Sequence, residues 1–192
     1  MPGAVGVLLA AGVAARFGGN KLLHRLDDGR TLAEAAAQRL LETLPSSIAV
    51  IHPGDDVLQG LLHRLGMCVV VCPLAGRGMG HSLACGVAAA VMADAWVVAL
   101  ADMPYIRSDT LVRVVQGLRT GAAIVAPYYA GRRGHPVAFG RGLLGEVLDL
   151  LQNDAVPMEY RENIRQVLRL LTEQAQFAMR REESAGLTGV AA

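Results

Sequence analysis

The chain has 192 residues, 53% of them hydrophobic, and a formal net charge of +1. That length suits one compact domain with a sizeable core, and that hydrophobic content excludes a disordered chain. A near-neutral balance carries no global signature for nucleic acid or an anionic membrane, so neither is expected as a partner. No basic segment precedes the first apolar run, so no signal peptide is expected. The apolar stretch near 86–101 is broken by Asp94 and reads as a core helix followed by a strand, not as a span of about 20 apolar residues. Cys68, Cys72 and Cys85 are an odd number and read as reduced, buried thiols of a cytoplasmic protein.

In chain order, "AVGVLLA" predicts a buried strand. "TLAEAAAQRLLETL" predicts a helix with Thr31 as cap and Glu34 three residues on. "SSIAVIH" is a strand, and "DDVLQGLLHRLG" a helix closed by Gly66. "MCVVVC" is a strand, "HSLACGVAAAVM" a helix and "AWVVALA" a third apolar strand. "SDTLVRVVQGLRTG" predicts a helix capped by Ser108 and closed by Gly121. "AAIVAPYY" is a strand, "AGRRGHP" a turn, "VAFG" a short strand and "GLLGEVLDLLQ" a helix. From Met158 the tail reads as one long helix, with Ile164, Val167, Leu168 and Leu171 on one stripe. Continuous apolar runs joined by helices predict a single-domain α/β fold over residues 1–192. Its mainly parallel sheet carries helices on both faces and a C-terminal helix follows.

The stretch "LLAAGVAARFGGNKLL" raises the functional question. In open parallel sheets ligands bind beyond the carboxyl ends of strands, and this loop starts at such an end. Small residues at Ala10, Ala11 and Gly12 let backbone N–H groups approach a ligand. Arg16 can hold phosphate oxygens in a bidentate way, and Lys21 supplies a mobile point charge. The loop is suited to a polyphosphate, yet it matches neither the Walker loop nor G-x-G-x-x-G. Asp102 ends the run "WVVALA" where the strand opens into the cleft. A carboxylate there suits a hard divalent cation that also binds substrate phosphates. His24, His52, His63 and His81 have no metal-like spacing and read as surface or loop residues, while Trp96 reads as packing.

These residues carry a resemblance. The loop resembles the signature L-A-[AG]-G-x-x-x-R-[FM]-G-x-x-K of the GT-A-like nucleotidyltransferases, whose fold is Rossmann-like. "GRGMGHSLACG", "VVALADMPYI" and "RRGHPVAFGR" are similar, in the same order, to segments of the molybdenum cofactor branch, the MobA-like NTP transferases. The resemblance covers roughly residues 4–145. It implies transfer of a nucleotide to the phosphate of molybdopterin with Mg²⁺ and release of pyrophosphate. It implies that Leu9, Ala10, Ala11 and Gly12 hold base and ribose, with Ser82 contacting the nucleotide. It also implies that Arg16 holds the outer phosphates, Lys21 neutralises the phosphate under attack and Asp102 binds Mg²⁺. Arg133 and His135 read as anchors for the acceptor, because a phosphate monoester is already charged and needs no base.

Leu9-Ala10-Ala11-Gly12 is the form that goes with cytidylyl transfer in that branch, so CTP is expected over GTP. The chain departs from the branch after about residue 150. Its Gly-Asp-x-Gly-Ala-Arg segment is replaced by "LLQNDAVPMEYRENIRQVLRLL", leaving Asn153 or Asp154 as candidate second Mg²⁺ ligands. That departure motivates a different expectation: a non-catalytic nucleotide-binding chaperone for a client molybdenum enzyme.

Overall fold

The computed structural model describes residues 3–12 and 20–152. Their strands are β1 (Ala4–Ala10), β2 (Ile48–Ile51), β3 (Cys68–Val71), β4 (Ala95–Leu100), β5 (Ile124–Val125), β6 (Tyr128–Tyr129), β7 (Arg132–Arg133) and β8 (Val137–Gly140). The α-helices are α1 (Leu32–Thr43), α2 (Asp56–Arg64), α3 (Met79–Ala89), α4 (Ser108–Arg119) and α5 (Leu144–Gln152). The main sheet runs β3-β2-β1-β4-β8-β5. The first four strands are parallel, and β8 is antiparallel to both β4 and β5. The mainly parallel sheet is therefore as expected. The reversal of β8 follows from its connection: it returns from β5 through a hairpin instead of a crossover helix.

Alternation along the strands divides the core into two layers. Val7, Leu9, Val50, Val98 and Phe139 face one side, with Leu83 and Val87 of α3 and Val147 of α5. Leu8, Ala10, Ile51 and Val97 face the other, with residues of α1, α2 and α4. Trp96 is fully buried, stacks on Phe139 with ring centroids 5.4 Å apart, and donates its indole N–H to the Ala90 carbonyl. It is packing, as the sequence implies. Among the described residues no helix is long and apolar enough to cross a membrane.

Several local signals act as read. Thr31 forms a reciprocal capping box with Glu34. Gly66 and Gly121 follow their helices at φ +89° and +88°, where a side chain would be strained. Others need correction. Arg107, not Ser108, is the cap residue of α4. The Ser108 hydroxyl instead donates to Glu42 and accepts from Arg39, tying α4 to α1. "AAIVAPYY" is two strands, since the chain leaves the sheet at Ala126-Pro127, and "AGRRGHP" includes the return strand of the β6–β7 hairpin. Cys68 is exposed, Cys72 buried and Cys85 half-buried, all three as free thiols. His81 lies on α3, half-buried, not on a loop. The C-terminal helix expected from Met158 lies outside the described residues.

Candidate functional site

The strand order reverses at β1. Strands β2 and β3 extend to one side, and α3 then carries the chain back to β4 on the other. The crevice beyond the carboxyl ends of β1 and β4 is thus the switch point where an open sheet takes a ligand. The two strands stay joined to their ends, where Ala101 N–H donates to the Leu9 carbonyl. Beyond that bond one chain continues as Ala11-Gly12 and the other as Asp102.

The loop from β1 returns to the crevice as a 3-10 turn over Lys21–Leu23. Leu22 anchors it: its side chain is buried in the layer shared with α1 and α2. Lys21 then reaches across, placing Nζ 4.0 Å from Asp102 Oδ2, with side chains 12% and 24% exposed. This spacing exceeds a direct charge-assisted hydrogen bond, which is about 2.7–2.9 Å. Lys21 is also the one lysine in the sequence; every other basic side chain apart from histidine is an arginine.

Helix α3 lies against the same end of the sheet, because it follows the carboxyl end of β3. Its entry needs Gly78, at φ +125°. Its closeness to the sheet needs Gly86, where a Cβ would stand 2.6 Å from Val7 Cγ1 and 2.9 Å from Val50 Cγ2. Ser82, in the first turns of α3, is buried. The last glycine of "GMGHSLACG" is therefore a packing residue that sets where the amino end of α3 stands.

The predicted nucleotide residues divide by exposure. Leu9, Ala10 and Ala11 are buried, so only their main chain can meet a ligand, whereas Gly12 is exposed. The Ala11 methyl lies in the apolar layer beneath α3, in the cluster of Cys72, Ala75 and Leu83. Strand β8 runs opposite to β4, so the residues before it lie at the carboxyl end of β4. Arg133 is exposed, its guanidinium 5.8 Å from the Tyr128 ring centre. His135 sits on a turn by chain path, but it is buried and 5% exposed. Arg16, Asn153 and Asp154 lie outside the described residues.

Among the described residues no group of three His, Cys, Asp or Glu side chains could hold a metal ion. The Asp102 carboxylate at the crevice is a ligand that a hard divalent cation can use when substrate phosphates and water complete its shell. Among the described residues no cysteine joins such a group. Burial and a hydrogen bond with Cys72 push the Cys85 thiol up to about 12, so it stays protonated and poorly nucleophilic.

A family model for the MobA-like NTP transferase domain matches residues 6–176. The chain belongs to the MobA-like NTP transferase family. A curated relative is 31% identical over 164 residues, covering 81% of this chain and 79% of that one. It is described as a nicotine blue oxidoreductase from Paenarthrobacter nicotinovorans. The solved structure of Rv0371c from Mycobacterium tuberculosis H37Rv is 28% identical, covers 77% of each chain and superposes with a TM-score of 0.68. Its complex with manganese aligns at 24% identity over 81% of this chain and 85% of that one, TM-score 0.63, a likeness of fold.

Two residues beside the crevice are not signalled by the sequence pattern. Asn20 and Asp55 are joined by a hydrogen bond between the Lys21 turn and the loop after β2. In the sequence Asn20 stands in a Gly-rich loop beside Lys21, and Asp55 opens a helical segment. Their pairing needs the β1 and β2 ends side by side, which no local pattern reveals.

Proposed function

We propose that this chain transfers CMP from CTP to the phosphate of molybdopterin, with Mg²⁺, releasing pyrophosphate. The carrying observation is the facing of Lys21 and Asp102 across the switch-point crevice. The acceptor phosphate oxygen attacks the nucleotide α-phosphorus, and the bond to the β-phosphate oxygen breaks. Lys21 sits beside the phosphate under attack and Arg16 holds the outer phosphates. Asp102 would hold the magnesium ion, which when bound offsets charge on the triphosphate. The main chain at Leu9, Ala10, Ala11 and Gly12, with Ser82 nearby, receives the nucleoside. Arg133 is the exposed acceptor anchor. His135, being buried, acts from beneath the hairpin base. The Leu9-Ala10-Ala11-Gly12 form supports CTP, and GTP is the alternative donor. The site lies in a cytoplasmic protein serving a molybdenum enzyme.

Incubation of the protein with Mg²⁺, molybdopterin and CTP, GTP, ATP or UTP in turn tests this. Pyrophosphate release with CTP is expected, and no release with any of the four overturns it.

The 31% identity to a nicotine blue oxidoreductase favours a second reading. In it the same crevice holds a redox nucleotide and the chain is an oxidoreductase. Consumption of a reduced nicotinamide nucleotide with that relative's substrate, and no pyrophosphate release, would select it.

A further inference from the structure

We propose that Asn20 and Asp55 form a strut that positions Lys21 in the crevice, making them positioning residues for the proposed nucleotidyl transfer; the catalytic meaning rests on that reading, while the strut itself does not. Asn20 stands immediately before Lys21 and uses both ends of its amide. Its oxygen accepts from Leu22 N–H at 3.0 Å, which caps the 3-10 turn carrying Lys21. Its Nδ2 donates to Asp55 Oδ1 at 3.0 Å, from the β1 loop to the residue before α2. An Asn in a loop commonly makes the first bond; the second fixes the direction in which the turn leaves the sheet.

Asp55 supplies an independent observation. It occupies the cap position of α2, where an Asp side chain ordinarily accepts from backbone N–H groups of the first turn. Here it makes no side-chain cap bond. Its backbone carbonyl still accepts from Gln59 N–H, so the helix starts normally while one carboxylate oxygen is committed to Asn20. The usual cap bond is given up for a tie to the loop. Leu22 holds the turn down, Asn20 orients it, and Lys21 projects between them to Asp102. A lysine side chain has four rotatable carbons, so its ammonium finds one place only if its backbone does. In transfer reactions a displacement of about 1 Å can cost 100-fold in rate.

The single lysine makes the test direct. Protein grown with ¹³C,¹⁵N-lysine gives one lysine ε-methylene signal. Asp102→Asn should shift it. Asp55→Ala should move it toward the value of free lysine, and adding Asp102→Asn should then change nothing further. Asp55→Asn keeps a carbonyl oxygen for Asn20 and should leave the signal near that of the natural protein. Asn20→Asp sets two carboxylates face to face and should displace the signal; adding Asp55→Asn restores a donor to an acceptor and should bring it back. In turnover, Asp55→Ala should lower kcat about tenfold or more with KM for the nucleotide changed less than about twofold. In a Lys21→Ala background it should add no loss. The strut is overturned if the signal in Asp55→Ala is unmoved and still responds to Asp102→Asn, or if the swapped pair fails to restore it. Absence of pyrophosphate release in the natural protein would overturn the transfer reading alone, because the lysine signal reports the strut without any reaction.

Discussion

Lys21 Nζ and Asp102 Oδ2 face each other at 4.0 Å although they enter the crevice from different strands. Each is delivered by separate packing, Lys21 by the buried Leu22 and Asp102 by the fully covered strand β4. The pair therefore depends on β1 and β4 being neighbours, which is what the crossover through α3 accomplishes. Asp102→Ala should abolish Mg²⁺-dependent turnover while the protein still unfolds cooperatively. A partly exposed pair of this kind contributes about 1 kcal/mol or less to stability. Lys21→Ala should lower kcat more than nucleotide affinity, if the ammonium favours the charge of the transition state. Isothermal titration with Mg²⁺ and nucleotide beside steady-state rates separates the two. Equal loss in both would make Lys21 an anchor only.

Gly86 offers a test of how α3 is placed. Gly86→Ala would drive its methyl into Val7 and Val50 at 2.6 and 2.9 Å. Overpacking of that order costs about 1–3 kcal/mol, to be read from denaturant unfolding. Because α3 carries Ser82, nucleotide affinity should fall as well. Gly142, with open space around its Cβ position, is the control: Gly142→Ala should leave affinity unchanged. Loss of stability at Gly86 with full nucleotide affinity would detach Ser82 from the site.

The cysteines should separate by reactivity. Cys68 is exposed, so a thiol reagent at neutral pH should modify one cysteine quickly, and Cys72 and Cys85 only after unfolding. The Cys85 value is raised from 9.0 to about 12 by burial and by Cys72. The folded state therefore holds this proton more tightly than the unfolded chain. Its contribution to stability is complete below the ordinary value and is lost as pH rises toward 12. Cys85→Ala should flatten that decline in unfolding measurements between about pH 9 and 11. Rapid modification of all three thiols in the folded protein would contradict this burial.

Much of the fold was legible in the sequence because its strands are covered on both faces and its helices carry strong end signals. "AVGVLLA" and "AWVVALA" have no polar break, and Thr31 with Glu34 is an unambiguous start. Ser108 misled because a serine before an apolar run fits a cap equally well, and only tertiary contact decides that its hydroxyl goes to Glu42. The break at Ala126-Pro127 misled because apolar residues continue past the point where the sheet ends. At the candidate site, motif and strand end single out Lys21 and Asp102, and the structure brings them to one crevice. Asn20 with Asp55 is not legible in this way, since a hydrogen bond between two loops leaves no periodic trace.

The proposed choice of base is tested at Ala11. If its methyl faced the base, it would narrow the space there directly. The structure puts it 5% exposed in the layer under α3, with Ala75 and Leu83, so any effect must pass through packing. A methyl there acts as a spacer between the end of β1 and α3, and so sets how far Gly12, the first exposed residue of the loop, stands from the amino end of that helix. A purine needs a wider gap than a pyrimidine. Ala11→Gly removes about 0.8 kcal/mol of apolar burial and frees the backbone to angles alanine avoids. CTP should therefore be used at least about tenfold better than GTP by the natural protein, within the range one pocket contact can supply. Ala11→Gly should narrow the ratio, chiefly by raising KM for CTP as Gly12 loses its fixed position. The measurement is kcat/KM for both nucleotides with molybdopterin in both proteins. Equal values in the natural protein would refute the cytidylyl assignment. A large CTP preference that Ala11→Gly leaves intact would instead mean that the base is selected elsewhere in the crevice.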